Sequence, residues 1–260
     1  MMNRHMQDYQ KATGAIYGNL FAGYDEKRFE ESLELFYMRH RRWGIDLGWF
    51  KDKACLDAGC GGGRFVVALA RLGARDVQGI DISAEAVAVA NKRIQDRKLS
   101  NAQARAGSVL ELPFPDASFD YVVCSGVLHH THDPYAGFKE LVRVLKPEGK
   151  LFLSVYGRGG LRWFFRVDVW RYTICKLIPF GAMERLFRMV GVTPNKRYAL
   201  LDNLYVPYCY RYTEKETRQW LDSAGFKNIK RVKFERYDYE KPLSKIIYGA
   251  GWIQMYADKT

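Results

Sequence analysis

Cysteine is sparse in this chain of 260 residues, five in all. Cys55, Cys60, Cys124, Cys175 and Cys209 are odd in number, scattered, and form no C-x-x-C pair. That argues against a disulfide framework or a structural zinc site and favours reduced thiols in a cytoplasmic protein. No uncharged apolar run reaches the ~18 residues of a membrane-spanning helix. The opening stretch, MMNRHMQDYQKATG, lacks the apolar centre of a signal peptide, and none is expected. Acidic residues are scarce too, 29 against 41 Lys and Arg, for a formal charge of +12. The imbalance is local: Arg158 to Leu200 holds nine Lys or Arg against Asp168 and Glu184, a balance of +7. Such a surface attracts phosphates, acidic substrates or anionic lipid, although a solvated helix face has the same composition. Histidine is as rare as cysteine, yet three of the five fall within GVLHHTHDP, Gly126 to Pro134.

What is present is enough apolar material for one sizeable core, 48% of residues. The first 50 residues read as polar and helical, with Tyr9, Tyr17, Phe21, Tyr24, Phe29, Phe36 and Tyr37 at intervals. From Lys53 short apolar runs alternate with helical periodicity. KACLDAG, DVQGIDI, NAQARAGSV, FDYVVCSG and KLFLSVYG read as strands. Between them GGRFVVALARLG, SAEAVAVANKRIQDRK and DPYAGFKELVRVL read as helices, and KPEG as a turn. This alternation predicts right-handed crossovers and a mostly parallel sheet covered on both faces. It stops after Gly157 and resumes at Thr213 with the helix EKETRQWLDSAGF. Two more strands are predicted, at Asn228–Tyr237 and Ile246–Tyr256. No repeat or low-complexity tract is found.

CLDAGCGGGRF occupies the first strand-to-helix turn, where open α/β sheets bind ligands. The dinucleotide fingerprint G-x-G-x-x-G fails here. Counted from Gly59 its third glycine falls on Arg64, and counted from Gly61 on Val66. The pattern is D-x-G-x-G-x-G, with Asp57, Gly59, Gly61 and Gly63. This stretch resembles motif I of the class I S-adenosylmethionine-dependent methyltransferases, small-molecule branch. IDIS with Asp81, the segment GSVLELPFPDASFDYVV, GVLHHTHDP and LVRVLKPEGKL resemble further family motifs in the same order. The likeness is good from Lys53 to Tyr156 and loose outside it.

The resemblance implies a Rossmann-like, doubly wound, mostly parallel seven-stranded sheet with helices on both faces. An N-terminal helical flap and a helical insertion after the fifth strand complete it. It implies S-adenosylmethionine as cofactor and S-adenosylhomocysteine as product. An acid at Asp57 suits a cationic sulfonium ligand better than a pyrophosphate. Asp81 is expected to bind the ribose hydroxyls and Ile82 and Val109 to sandwich the adenine. Cys60, Gly59, Gly61, Gly63, Ser125 and Tyr17 are assigned to the same pocket. Ser108 stands where the family often has an acid contacting the adenine amino group, and Glu148 replaces the first glycine of the R-x-L-K-P-G-G turn.

Transfer to a hydroxyl or ammonium acceptor needs a base titrating near neutrality. His129 and His130 follow the fourth strand and are the candidates. Adjacent side chains at that extended strand end point opposite ways, so at most one is expected to face the acceptor. Asp133 before Pro134 reads as a helix N-cap, and His132 as facing water. Three such close histidines converge poorly, so no metal site is expected.

The insertion carries Trp163, Val167, Trp170, Ile174, Leu177, Ile178, Met183, Leu186, Phe187 and Val190 at helical spacing, interleaved with arginines. That suits a lid over a partly apolar acceptor, with Trp163, Tyr205 and Tyr208 as acceptor-binding residues. It also suits peripheral contact of residues 158–200 with an anionic membrane. The expected division is a flap (1–50), a cofactor-binding core (51–157), a lid (158–212) and a C-terminal return to the sheet (213–260). The predicted function is methyl transfer to O, N or C of a small metabolite such as a natural product, quinone or lipid-like acceptor. A peptide, protein or RNA acceptor and a non-catalytic cofactor-binding protein are the alternatives. The N-P-P-[YFW] signature of base-amino methylation is absent, with CSGV in its place, and no specific nucleic acid partner is expected.

Overall fold

In a computed structural model of the chain, residues 26–232 and 241–260 are described. The flap tyrosines Tyr9, Tyr17 and Tyr24 lie outside these residues. Seven strands form one sheet: β1 (Ala54–Ala58), β2 (Asp76–Asp81), β3 (Ala102–Ala106), β4 (Phe119–Ser125), β5 (Leu145–Tyr156), β6 (Phe226–Arg231) and β7 (Trp252–Lys259). Their order is β3-β2-β1-β4-β5-β7-β6. The first five pair in parallel, and β7 runs antiparallel to both β5 and β6. The predicted Rossmann-like, mostly parallel seven-stranded sheet is therefore borne out, with an antiparallel edge. The order reverses between β1 and β4, so the crevice at their carboxyl ends is the switch point where such sheets bind ligands.

Helices cover both faces because β1 is apolar at nearly every position and all five of its residues are buried. One face packs against α1 (Glu26–Arg42), α2 (Arg64–Arg71) and α3 (Ala84–Asp96) through Phe29, Leu33, Val67, Leu69, Ala90 and Ile94. The other packs against α4 (Pro134–Val144) and, C-terminal to the insertion, the helix Glu214–Ser223, through Phe138, Leu141, Val144 and Leu221. Each such large side chain contributes roughly 2 kcal/mol on burial. Local chemistry sets the helix starts. Ser83 Oγ accepts from Ala86 N, Asp133 Oδ1 accepts from Ala136 N, and Thr213 and Glu216 form a capping box.

Three sequence expectations need correction. KPEG does not end before a new strand. Leu145 already pairs with Phe119 and Lys150 with Tyr121, so residues 146–149 form an excursion inside β5 opposite Asp120. Ile246–Tyr256 is not one strand. Pro242 starts a helix, Pro242–Tyr248, and Gly249 at φ 67 and Gly251 at φ 62 turn the chain before β7 begins at Trp252. The insertion, finally, is not one long amphipathic face.

The insertion breaks into α5 (Leu161–Trp163), a π-turn at Phe164–Asp168, α6 (Val169–Tyr172), α7 (Ile174–Leu177), α8 (Phe180–Met189) and α9 (Pro194–Tyr205). Then α10 (Glu214–Ser223) and α11 (Pro242–Tyr248) complete the α-helices among the described residues. Val167, Met183, Phe187, Leu201 and Leu204 build a small core of their own, separate from the two sheet-face cores. Leu177, Leu186 and Val190, which belong to the same sequence stripe, stay exposed. Periodicity alone cannot separate these two sets, because the helix breaks and the π-turn reset the angular phase.

Candidate functional site

The glycine turn forms the first half of the site. Gly59 has φ 95, and a side chain there would collide with Val127 Cγ2 at 2.1 Å. Gly63 has φ 84, and a Cβ there would lie 2.9 Å from Ala90 Cβ. Both positions demand glycine for conformation and space together. The turn is then pinned by hydrogen bonds. Gly59 N and Cys60 N both donate to Ile80 O, at 2.7 and 2.9 Å. Gly61 N donates to Asp81 Oδ2 at 2.8 Å, and Ser83 N donates to Asp81 Oδ1 at 2.9 Å. Arg93, reaching back from α3, donates to Gly62 O at 2.7 Å. Its guanidinium also lies 4.1 Å from the Phe29 ring centroid, so α1 is tied to the same turn. Nothing in the sequence pattern singles out Arg93. Its burial within α3 is the only signal, and it is tertiary.

Asp57 and Asp81 lie on the facing strand ends but are solvated differently. Asp81 accepts two backbone hydrogen bonds, which lower its pKa, yet burial outweighs them and raises it overall. Asp57 is fully buried, and its Oδ2 has no hydrogen-bond partner among the described residues. Burial pushes its pKa up to about 8, with Arg64 pulling down and Asp81 pushing up. A buried carboxyl held largely neutral in this way ionises when a cation arrives beside it. Cys60 is buried, and burial raises its thiol pKa. Val109 is buried, Ile82 and Ser125 are half-buried, and Ser108 Oγ accepts from Leu110 N at 3.2 Å.

The histidine turn is the second half. The segment after β4 is not extended. Leu128–His130 is a 3₁₀ turn, and the two rings lie on one side, 4.1 Å between centroids. The expectation that they point opposite ways is overturned because a turn, not a strand, follows Ser125. Both rings are buried. Burial holds the His129 pKa well below its ordinary value, with His130 adding to the effect. Tyr156 N donates to His129 Nδ1 at 3.3 Å. A neutral imidazole that accepts at Nδ1 carries its proton at Nε2, so His129 presents a donor there. That Nε2 has no hydrogen-bond partner among the described residues. A free base is not what this geometry presents at His129.

His130 is hydrogen-bonded through Nδ1 and turns Nε2 towards a carboxylate. Nδ1 donates to Tyr208 O at 2.8 Å, and Nε2 lies 3.4 Å from Asp202 Oδ2. Tyr156 Oη donates to the same carboxylate oxygen at 2.8 Å. Asp202 and Tyr156 were not foreseen, since one sits on α9 and the other at the end of β5. The backbone follows the same line. Tyr210 N donates to His129 O at 2.9 Å, and Tyr212 N to Tyr156 O at 2.9 Å. The insertion is thus fastened to the sheet at the histidine turn. Asp133 caps α4 as expected, and His132 is exposed.

The three expected acceptor residues divide. Trp163 is half-buried, 5.6 Å from the Tyr156 ring, and its Nε1 is buried without a hydrogen-bond partner. Tyr208 stacks on Tyr210 at 6.0 Å, with its carbonyl used by His130. Tyr205 Oη donates to Ile178 O at 2.7 Å, so that hydroxyl holds the insertion together. Among the described residues no cluster of three His, Cys, Asp or Glu side chains is placed to hold a metal ion. No helix among them is long and apolar enough to cross a membrane.

Comparison with known proteins agrees with this geometry. Residues 56–153 match a family model described as a methyltransferase domain, which bears out the resemblance read from Lys53 to Tyr156. The demethylmenaquinone methyltransferase of Geobacillus stearothermophilus is 32% identical over 149 residues, 55% of this chain and 62% of that one. The ubiquinone biosynthesis O-methyltransferase of Acinetobacter baumannii (strain AYE) is 33% identical over 138 residues, 53% of this chain and 57% of that one. The chain spans somewhat more than half the length of these relatives. Among solved structures, magnesium protoporphyrin IX methyltransferase from Synechocystis PCC 6803, with bound S-adenosylhomocysteine, shares the fold. It superimposes with a TM-score of 0.59 at 20% identity, over 98% of both chains. A 4+2 cyclase, SpnF, has a TM-score of 0.55 at 22% identity, over 87% of this chain and 80% of that one.

Proposed function

We propose, from the premise that residues 56–153 match a methyltransferase domain, that the chain is an S-adenosylmethionine-dependent methyltransferase acting on a small, partly apolar acceptor. The buried Asp57 carboxyl, whose Oδ2 has no hydrogen-bond partner among the described residues, is the observation that carries the reading. The cofactor has an ammonium group and a sulfonium, and Asp57 offers a desolvated charge partner for cationic groups. The glycine turn lets a ligand approach the backbone, and Asp81 retains lone pairs for a ribose diol while it holds Gly61 and Ser83. Ile82 and Val109 supply apolar faces for the adenine, and Ser108 or the backbone beside it reads the amino group. Cys60, Ser125 and Tyr17 complete the assignment. When bound, the cofactor supplies an electrophilic methyl group on sulfur.

The remaining work falls to the protein. An acceptor oxygen or nitrogen must be aligned and its proton removed as the new bond to carbon forms. His129 Nε2–H is a donor that an acceptor oxygen would satisfy. The pair His130 and Asp202 is the proton acceptor in this reading, because Nδ1 of His130 is fixed as a donor to Tyr208 O and the exchangeable site faces the carboxylate. Trp163 and Tyr208 line the acceptor side. The named quinone methyltransferases support a partly apolar acceptor, and the basic insertion supports peripheral contact of residues 158–200 with an anionic membrane. The division into flap (1–50), core (51–157), lid (158–212) and C-terminal return (213–260), and a cytoplasmic location, belong to the same proposal.

Calorimetry with S-adenosylmethionine tests it. Binding is expected near micromolar, with release of about one proton at neutral pH as Asp57 ionises against the ligand's charge. Repeating the titration in buffers of different ionisation enthalpy measures that proton. Asp57→Asn should bind more weakly and release none. Absence of binding sinks the proposal, and binding without methyl transfer to any quinol or phenol acceptor leaves the non-catalytic alternative in its place.

A further inference from the structure

The folded chain gathers an exposed apolar surface from two segments that are far apart in sequence. Leu161, Phe164 and Phe165, in α5 and the π-turn, are exposed, Phe165 by 62%. Phe164 and Phe165 touch edge to face at 5.2 Å. α11 packs against α5, and Arg162 lies over the Tyr248 ring at 5.5 Å. α11 adds Leu243 and Ile246, exposed by 68% and 58%. Side chains of this size left in water next to one another mark an interaction surface.

Charge says what it meets. The insertion's three acids are already engaged, Asp202 being buried beside His130 and Tyr156. Asp168 pairs with Arg211, and Glu184 pairs with Arg188. Arg162, Arg166, Lys176 and Arg185 are exposed and have no acidic partner among the described residues. Exposed aromatics and leucines flanked by unneutralised arginines suit the boundary between headgroups and acyl chains of an anionic bilayer. A protein partner's face would instead need matching acids and a complementary shape.

We propose that α5, the π-turn and α11 together form a docking surface for an anionic lipid bilayer, with Phe164, Phe165, Leu243 and Ile246 entering the interface and Arg162 and Arg166 meeting the headgroups. The inference rests on the methyltransferase reading for its purpose, since α5 and the π-turn belong to the insertion assigned to the acceptor, and an apolar acceptor would leave the membrane there. It extends the contact beyond residues 158–200 by adding α11.

Flotation of the whole chain with vesicles tests it, using phosphatidylcholine alone or mixed with phosphatidylglycerol. Binding is expected only to the mixed vesicles, weakening as salt rises. Phe164→Ser with Phe165→Ser, and separately Leu243→Ser with Ile246→Ser, should each weaken it by roughly tenfold or more. Cofactor binding in the same samples should stay unchanged, which reports folding and separates this inference from the methyltransferase reading. Failure to bind the mixed vesicles overturns the docking surface. So does full binding by both double variants. Dimerisation of the parent chain that both double variants abolish, without vesicle binding, also overturns it and assigns the surface to a second copy.

Discussion

The glycine turn and the histidine turn sit at the carboxyl ends of adjacent strands, β1 and β4, and both are buried and polar. They are held in opposite ways. The glycine turn is closed by Ile80 O and Asp81 at the end of the next strand, β2, and by Arg93 of α3. The histidine turn is completed by Tyr156, Asp202 and Tyr208, which arrive from β5, α9 and the segment after it. One is a local motif with a long reach into ligand chemistry. The other is a junction, and its geometry exists only when the insertion is seated.

That contrast can be broken from either side. Asp81→Ala removes the acceptor for both Gly61 N and Ser83 N and the expected diol contact, so cofactor affinity should fall about 100-fold or more. Calorimetry reads this, and an unchanged affinity would refute the role of Asp81. His130→Ala should do the reverse. Cofactor affinity should change by no more than about threefold, while unfolding in urea should show a loss of roughly 2–3 kcal/mol, because Asp202 and the Tyr208 carbonyl lose a buried partner. If both variants moved the same quantity, the two halves would not be separable.

The smallest effect concerns neither half. Glu148 sits at φ 61, a conformation that L side chains adopt at a cost. Glu148→Gly should stabilise the fold by about 1 kcal/mol, seen as a raised midpoint in thermal unfolding, with cofactor binding unchanged. The resemblance that noted Glu148 in place of a glycine thereby acquires a physical reason. The position needs a left-handed backbone inside the excursion opposite Asp120.

How much was legible follows from how each feature is held. The five parallel strands were readable because buried strands are apolar runs and the helices between them carry caps such as Ser83 and Asp133. D-x-G-x-G-x-G was readable because glycine is required where φ is positive and neighbours are close, as at Gly59 and Gly63. The edge was harder. Ile246 and Ile247 look like strand residues, yet Pro242 and Gly249 bound a helix there, and a helix end and a strand start share the same apolar letters. The sequence marks the histidines but leaves their orientation open, because a 3₁₀ turn and a strand end differ by backbone angles that no residue in GVLHHTHDP dictates. Arg93, Tyr156 and Asp202 carried no local signal at all.

The sequence by itself determined the layered α/β architecture, the position of the ligand crevice and the residue types lining its glycine half. These follow from short-range pattern, where burial and backbone freedom act within a few residues. Tertiary structure alone decided that His129 presents a donor, that His130 faces Asp202, and that Leu243 and Ile246 join Phe164 and Phe165 on one surface. A hydrogen bond or an exposed patch depends on which distant side chain arrives, and arrival is set by the packing of the whole sheet and its insertion, not by neighbours in the chain.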